Sequence, residues 1–218
     1  MVQKKLVIVG DSYAQKTTLL HAFLELDFPK ALSLRPTVLA ENYAKEVAVV
    51  DQSGKKRVVE LSLWDTAGLP DYDRLRPLSY PDTDVILVCF SVKEPDSFEN
   101  IQSKWIPEIQ RFCPGVPFFI IGHKTSLADD ANSLRERVTR EQGRRLARKV
   151  GAVAYMECCA RTGKCVNKVF VTAALASLKK EKKRHEAKSS EYFIIVHIYE
   201  PKASALSARD CYYIARVH

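Results

Sequence analysis

The chain has 218 residues and a mass of 24.7 kDa, and 46% of its residues are hydrophobic and 28% charged. A chain of this length suits one domain, which buries about 70% of its unfolded surface and folds without a disulfide or metal. The composition excludes a disordered or collagen-like chain, and the longest apolar runs, such as residues 85–90, are far shorter than the roughly 20 residues of a membrane span. No apolar signal segment follows Lys4 and Lys5, so we expect a non-secreted protein whose six cysteines stay reduced.

The net charge of +8 is concentrated in the last third of the chain. Residues 135–188 contain 16 Lys and Arg against 5 Asp and Glu, so the rest of the chain is slightly acidic. No RNA- or DNA-binding motif accompanies these charges, and nucleic acid is therefore not an expected partner. The densest run, from Lys179 to Arg184, is either a segment that weakly contacts anionic membrane or an ordinary solvated helix end.

Apolar strand-like runs alternate with helical segments along the chain. Strands are predicted at residues 5–9, 43–50, 58–64, 85–90, 118–121 and 153–156, and helices at 16–26, 97–112, 139–149 and 167–178. A hairpin turn joins the second and third strands across Asp51-Gln52-Ser53-Gly54. The alternation predicts an α/β domain of three layers, in which a mostly parallel six-stranded sheet has helices on both faces. We place this domain at residues 1–178, a basic linker at 179–190, and a tail of unknown structure, strand-like at 191–199, at 191–218.

The turn between the first strand and the first helix carries a phosphate-loop pattern. In that pattern a glycine is followed by four residues and then by Gly-Lys-Ser/Thr, so that backbone N–H groups converge on phosphates at a helix N-terminus. Gly10, Lys16 and Thr17 match the pattern, whereas Gln15 replaces its second glycine. Spacing alone leaves a chance match open, and a further motif is needed to decide.

Further motifs follow in order along the chain. They are Trp64-Asp65-Thr66-Ala67-Gly68, the run 71–84, Arg35-Pro36-Thr37-Val38 with Glu41-Asn42-Tyr43, Gly122-His123-Lys124-Thr125-Ser126-Leu127, and Glu157-Cys158-Cys159-Ala160-Arg161-Thr162. Over about residues 3–178 the sequence resembles the Rho family of Ras-like small GTPases, including both switch segments and the guanine-reading loops. The resemblance implies the three-layer phosphate-loop small-GTPase fold and a role in signal transduction to the actin cytoskeleton.

The resemblance also implies a site for GTP or GDP with Mg²⁺. The family's magnesium ligands correspond to Thr17, Thr37 and Asp65, and Phe28 corresponds to the ring that packs on the guanine. An alternative for Phe28 is an apolar anchor for its own loop. The nucleotide-binding residues implied in this way are Asp11, Ser12, Tyr13, Ala14, Gln15, Lys16, Thr17, Thr18, Phe28, Thr37, Asp65, Gly68, His123, Lys124, Ser126, Cys159, Ala160 and Arg161.

Several departures from the family pattern lie on the phosphate side. Gln15 puts a side chain where backbone must lie against phosphate, a position for which glycine is suited because it has no Cβ. Ser12 and Tyr13 replace small residues at the same mouth. Leu69 stands where the family has the glutamine that orients the attacking water, and leucine makes no hydrogen bond. We therefore assign no catalytic residue and expect GTPase activity to be very low or absent.

Other departures lie on the base side. Ser126 replaces the aspartate that accepts two hydrogen bonds from guanine, and His123 does not reproduce the amide of the family's asparagine. Arg161 replaces a lysine, while Lys124 is retained. These changes predict weak affinity for GTP.

Two functions stay open at this point. One is a Rho-type nucleotide switch with an impaired GTP and magnesium site; the other is a nucleotide-free pseudo-GTPase that acts as an interaction module. The partners implied for a monomer of either kind are Rho exchange factors, activating proteins or effectors. The chain ends in Ala215-Arg216-Val217-His218 and Cys211 lies too far upstream for a prenylation motif. We therefore expect a cytoplasmic protein with, at most, peripheral membrane contact through the basic run.

Overall fold

The computed structural model describes residues 2–25, 37, 40–51, 54–124, 137–183, 192–195 and 214–217. Its main sheet has six strands in the order β2-β3-β1-β4-β5-β6. These are β1 (Val2–Gly10), β2 (Ala40–Val50), β3 (Lys56–Thr66), β4 (Val85–Ser91), β5 (Phe118–His123) and β6 (Ala154–Cys158). Strand β2 is antiparallel to β3, and the other neighbouring strands are parallel. The predicted mostly parallel six-stranded sheet is confirmed.

Burial along the strands follows their place in the sheet. All seven residues of the central strand β4 are buried, as expected for a strand covered on both faces. The edge strand β2 alternates buried and exposed residues toward its end, where Val47 and Val49 face the core. The C-terminal ends of β1, β3, β5 and β6 lie in register on one edge of the sheet, and the loops after them carry the implied site.

Helices cover both faces of the sheet and form two cores. They are α1 (Lys16–Leu24), α2 (Pro95–Asn100), α3 (Ile106–Phe112), α4 (Arg140–Val150) and α5 (Val166–Lys183). One core packs α1 and α5 on the sheet, and within it the rings of Phe23 and Phe170 stack with centroids 3.9 Å apart. The other core contains Trp105, Ile109 and Leu146 on the opposite face.

The single helix predicted at 97–112 is interrupted by a π-helical turn, Ile101–Trp105, between α2 and α3. Pro107 lies two residues after this turn; it has no N–H to donate to the preceding turn, and its ring crowds the carbonyl four residues before it. A wider turn relieves that crowding, and such turns recur at functional sites. This one places the Trp105 side chain beneath the phosphate loop.

The helix predicted at 139–149 begins and ends as its sequence indicates. Thr139 and Gln142 form a capping box, and Gly151 ends the helix with a left-handed φ of 74°. The last helix, predicted to end at residue 178, continues to Lys183, five residues into the predicted linker. The division of the chain into domain, linker and tail stays a prediction.

Two short strands lie in the predicted tail. Tyr192–Ile195 (β7) pairs antiparallel with Ile214–Val217 (β8) as a separate two-stranded sheet. Within the parts of the chain described above, no helix combines the length and the apolar character that crossing a membrane requires.

Candidate functional site

The loop between β1 and α1 holds two residues in backbone conformations that favour glycine. Gly10 has a φ of 140°, and a Cβ there would lie 2.2 Å from the carbonyl oxygen of Cys89, so only glycine fits. Gln15 has φ 56° and ψ 38°, the left-handed conformation that glycine adopts without cost. A glutamine held there is strained by about 1–2 kcal/mol. The loop therefore holds Gln15 in a conformation that favours glycine.

Lys16 lies at the first turn of α1 and is only 5% exposed. Its ammonium donates to the carbonyl oxygens of Gly10 at 2.8 Å and Asp11 at 2.9 Å. Burial lowers the pKa of Lys16, and the nearby charge of Asp65 opposes that shift. An ammonium has three donors, and its two carbonyl bonds leave one for an oxygen of a bound phosphate.

The three residues implied as magnesium ligands come together. Thr17 lies in the first turn of α1, Asp65 lies near the end of β3, and Thr37 lies between α1 and β2. The hydroxyls of Thr17 and Thr37 donate to Asp65 Oδ2 at 2.5 and 3.0 Å, and the two hydroxyl oxygens are 3.1 Å apart. Their convergence joins three segments that are distant in the sequence.

The other carboxylate oxygen of Asp65, Oδ1, indicates whether a metal ion would fit this cluster. Asp65 Oδ1 is buried and has no hydrogen-bond partner among the described residues. Burial raises the pKa of Asp65, while the hydrogen bond from Thr17 and the charge of Lys16 work against that rise. A carboxylate oxygen and two hydroxyls are the hard oxygen donors that Mg²⁺ prefers. The donor set fits magnesium, which when bound would neutralise the charge of phosphate oxygens.

The loop after β3 packs directly on the phosphate loop. A Cβ on Gly68 would lie 2.5 Å from the backbone nitrogen of Ser12 and 2.6 Å from the carbonyl carbon of Asp11. Glycine is therefore required for this contact. Leu69 follows in an extended conformation and is half-buried, before a short 3₁₀ turn at Pro70–Tyr72. Its isobutyl side chain offers nothing that could hold a water.

The carboxylate of Asp11 is bound on the protein side of the loop. It accepts a hydrogen bond of 2.7 Å from Asn100 Nδ2 and one of 2.8 Å from Trp105 Nε1. The sequence reasoning missed Asn100 and Trp105, although a buried indole N–H needs an acceptor and this signals a polar partner. Asp11 therefore fixes the loop with its side chain.

Trp105 also connects the loop to the segment 71–84. The Arg76 guanidinium, fully buried, lies over the indole ring at 4.5 Å and donates to the Ala67 carbonyl at 2.9 Å. It also donates to both carboxylate oxygens of Glu108, at 3.1 and 2.8 Å, and to Asp73 at 2.6 Å. Sequence reasoning gave Arg76 no role, because the arginine lies within a motif that was assigned as a whole.

On the base side, two implied residues bond to each other. His123, the last residue of β5, is 1% exposed, and its Nε2 accepts a hydrogen bond of 3.2 Å from the backbone N–H of Ala160. His123 Nδ1 is buried without a partner among the described residues. Burial lowers the pKa of His123 to about 4, so the ring is neutral at physiological pH.

Lys124 is engaged by an ion pair. Its ammonium lies 3.0 Å from Glu157 Oε2, and Glu157 also accepts hydrogen bonds from Arg140 and Tyr155. Burial alone would raise the pKa of Glu157, but the hydrogen bonds from Arg140 and Lys124 outweigh it and lower the pKa.

The remaining implied residues are spread around the same edge of the sheet. Tyr13 is 80% exposed, and Ser12 and Arg161 are also exposed. Phe28 and Ser126 lie outside the described residues. The others vary in burial, with Ala14 and Cys159 buried and Thr18 partly so.

The loop after β1, the oxygen cluster at Thr17 and the helices on both faces of the sheet define a phosphate-loop domain. The model of the Ras family matches residues 5–179, which is most of the chain. The chain therefore belongs to the Ras family, whose members are small GTP-binding proteins of signal transduction that typically bind GTP or GDP with Mg²⁺.

Proposed function

We propose that this chain is a Rho-type small G protein that signals to the actin cytoskeleton and holds magnesium and guanine nucleotide in an impaired site. The cluster of Thr17, Thr37 and Asp65 carries this proposal, because an unpartnered buried carboxylate oxygen beside two hydroxyls suits a cation. Lys16, with a donor left for a phosphate oxygen, supports the same ligand.

Hydrolysis is lost in this proposal. Leu69 occupies the position of the family's water-orienting glutamine, and a leucine neither donates nor accepts a hydrogen bond. An activating protein that supplies an arginine has little effect on a water that nothing positions. The protein's signalling state is then set by nucleotide exchange or by its abundance.

A second candidate is a nucleotide-free interaction module that binds Rho exchange factors or effectors. The hydrogen bond between His123 and Ala160 favours it, since two groups at the base side satisfy each other without a ligand. The close packing of Gly68 on the phosphate loop favours it too. Without nucleotide, the protein would be in a ligand-free form that exchange factors or effectors could bind.

The location proposed for either form is the cytoplasm, with weak contact to anionic membrane through the run from Lys179 to Arg184. Each basic residue near a membrane surface contributes about 1 kcal/mol, and salt screens that attraction. Fractionation before and after a high-salt wash tests this: protein that stays with membranes in high salt contradicts the proposal.

Nucleotide content separates the two candidates. The full chain is purified in Mg²⁺, denatured, and the released nucleotide is identified by chromatography, with a parallel sample washed in EDTA. We expect substoichiometric GTP or GDP that the chelator removes. Purified protein that carries no nucleotide and takes up none at millimolar Mg²⁺-GTP would leave the interaction module as the function.

A further inference from the structure

We propose that the site recognises a magnesium-chelated triphosphate group and does not discriminate between bases, because His123, Lys124 and Ala160 on the base side bond within the chain. This inference rests on the proposed nucleotide binding and widens its ligand class from guanine nucleotides to nucleoside triphosphates in general. It is carried by the contrast between the two halves of the site.

On the base side, the Ala160 N–H, His123 Nε2 and the Lys124 ammonium are paired within the protein, and His123 Nδ1 is the buried side-chain atom there without a partner among the described residues. The Ala160 N–H, one of the positions implied for nucleotide binding, donates to His123 Nε2 at 3.2 Å. His123 is also a position implied for nucleotide binding. This one hydrogen bond therefore makes a donor, the Ala160 N–H, and an acceptor, His123 Nε2, unavailable to a base. With Nε2 accepting, the neutral ring carries its proton on Nδ1.

Lys124, the implied position next to His123, is also engaged. Its ammonium is paired with Glu157, which two further side chains hold in place. Releasing Lys124 would leave that partly buried carboxylate with fewer compensating partners, which is unfavourable. The ion pair therefore competes with a base for the lysine.

On the phosphate side, the Thr17 and Thr37 hydroxyls bond to Asp65 Oδ2, but charged groups keep capacity beyond these bonds. Asp65 Oδ1 is buried without a partner among the described residues, and the Lys16 ammonium keeps a donor beyond its two carbonyl bonds. Phosphates and their metal are common to all nucleoside triphosphates and to inorganic triphosphate. Among the described residues, the charged groups that remain available for binding are thus those of Asp65 and Lys16, which do not read the base.

The expected difference in affinity between nucleotides follows from the way in which polar groups of a site create selectivity. A site that hydrogen-bonds a ligand's polar edge rejects analogues by about 10⁴–10⁵, because its own buried groups are then left unpaired. Here the Ala160 N–H stays paired whichever base is present. We therefore expect dissociation constants for Mg²⁺-GTP, Mg²⁺-ATP and Mg²⁺-CTP that agree within about fivefold.

The first experiment is calorimetric titration of the full, nucleotide-stripped chain with those three nucleotides and with inorganic triphosphate, each with Mg²⁺. Agreement within fivefold among the nucleotides, and competition by triphosphate, supports the inference. A larger preference for GTP overturns it and leaves the proposed nucleotide binding standing. Binding of none of the four overturns both.

A variant then tests whether the bond between His123 and Ala160 causes the lack of base selectivity. His123→Asn frees the Ala160 N–H and is expected to shift the ratio of GTP to ATP affinity toward GTP by about three- to tenfold, the value of one hydrogen bond. His21→Asn is the matched control, because its imidazole contacts Tyr43 and lies apart from the base side. A folded His123→Asn chain with an unchanged ratio contradicts the inference.

Nuclear magnetic resonance on the unmodified chain covers the case in which the variant does not fold. We expect His123 to carry its proton on Nδ1, and the Ala160 amide signal to respond equally to Mg²⁺-GTP and Mg²⁺-ATP. A proton on Nε2, or an Ala160 shift specific to GTP, would show that the amide is available to the base and refute the inference.

Discussion

Replacement of Gln15 by glycine should improve both stability and ligand binding. Gln15 holds φ 56° and ψ 38°, so the strain of a left-handed non-glycine residue, about 1–2 kcal/mol, is removed in the variant. Glycine loses more backbone freedom on folding, which costs about 0.5–1 kcal/mol. The net change is a stabilisation of about 0.5 kcal/mol, measurable as a small rise in the denaturant midpoint.

Gln15→Gly is expected to change the affinity for Mg²⁺-GTP more than it changes the stability of the fold. Without a Cβ at this position the backbone N–H groups of the loop can approach a phosphate, and each charge-assisted hydrogen bond regained contributes about 1.5–3 kcal/mol. One such bond corresponds to a gain of about ten- to a hundredfold in magnesium-dependent GTP affinity by calorimetry. The pair His123→Asn with Ser126→Asp should gain less, because it acts only on the base.

Gln15→Ala is the matched control. It removes the amide but keeps the Cβ and the left-handed strain, so little gain is expected. If alanine improves affinity as much as glycine, the amide end of the Gln15 side chain, and not its Cβ, is the defect. If the base-side pair restores affinity and Gln15→Gly does nothing, the phosphate loop is not the limiting half of the site.

Three further predictions use other groups of the structure. Single-turnover assays should find no GTP hydrolysis, and Leu69→Gln alone should not restore it; turnover by the unmodified chain at an ordinary intrinsic rate refutes this. Trp105→Phe removes the bond to Asp11, 2.8 Å long, and should cost about 1.5–3 kcal/mol in urea unfolding, whereas the control Trp64→Phe, which loses a bond to a neutral hydroxyl, should cost about 0.5–1.5 kcal/mol. Burial lowers the pKa of His123 from 6.5 to about 4, so stability should be full above pH 6.5 and fall as pH approaches 4, by up to about 3 kcal/mol; a His123→Asn chain with the same pH slope contradicts that origin.

The sequence predicted the parts of the site that lie within short motifs. Gly10, Lys16 and Thr17 are neighbours in one turn, and Asp65 ends a strand that its β-branched residues already indicate. Apolar residues located all six strands of the main sheet, in a continuous run in the buried β4 and in alternation with polar residues in the edge strand β2.

The contacts that the sequence did not predict join residues distant along the chain. Asp11 lies 89 and 94 residues from its partners Asn100 and Trp105, and His123 lies 37 residues from Ala160. Neither periodicity nor motif spacing predicts such pairs, since contacts between distant residues depend on the order of the strands in the sheet. The π-helical turn that carries Trp105 was also missed, because its residues keep the spacing of an ordinary helix.

These long-range contacts explain how the phosphate loop holds Gln15 in a left-handed conformation. Asp11 is held by Asn100 and Trp105, and the Lys16 ammonium is held by two carbonyls of the loop. These bonds join the loop to α1 and to residues 100 and 105, so contacts within the protein hold the shape of the loop. Gln15 then adds strain of about 1–2 kcal/mol that these contacts sustain, and we expect its side chain to weaken ligand binding directly. Fold and ligand binding are separable in such a site, and a switch can become an interaction module through changes that leave its surface ordered.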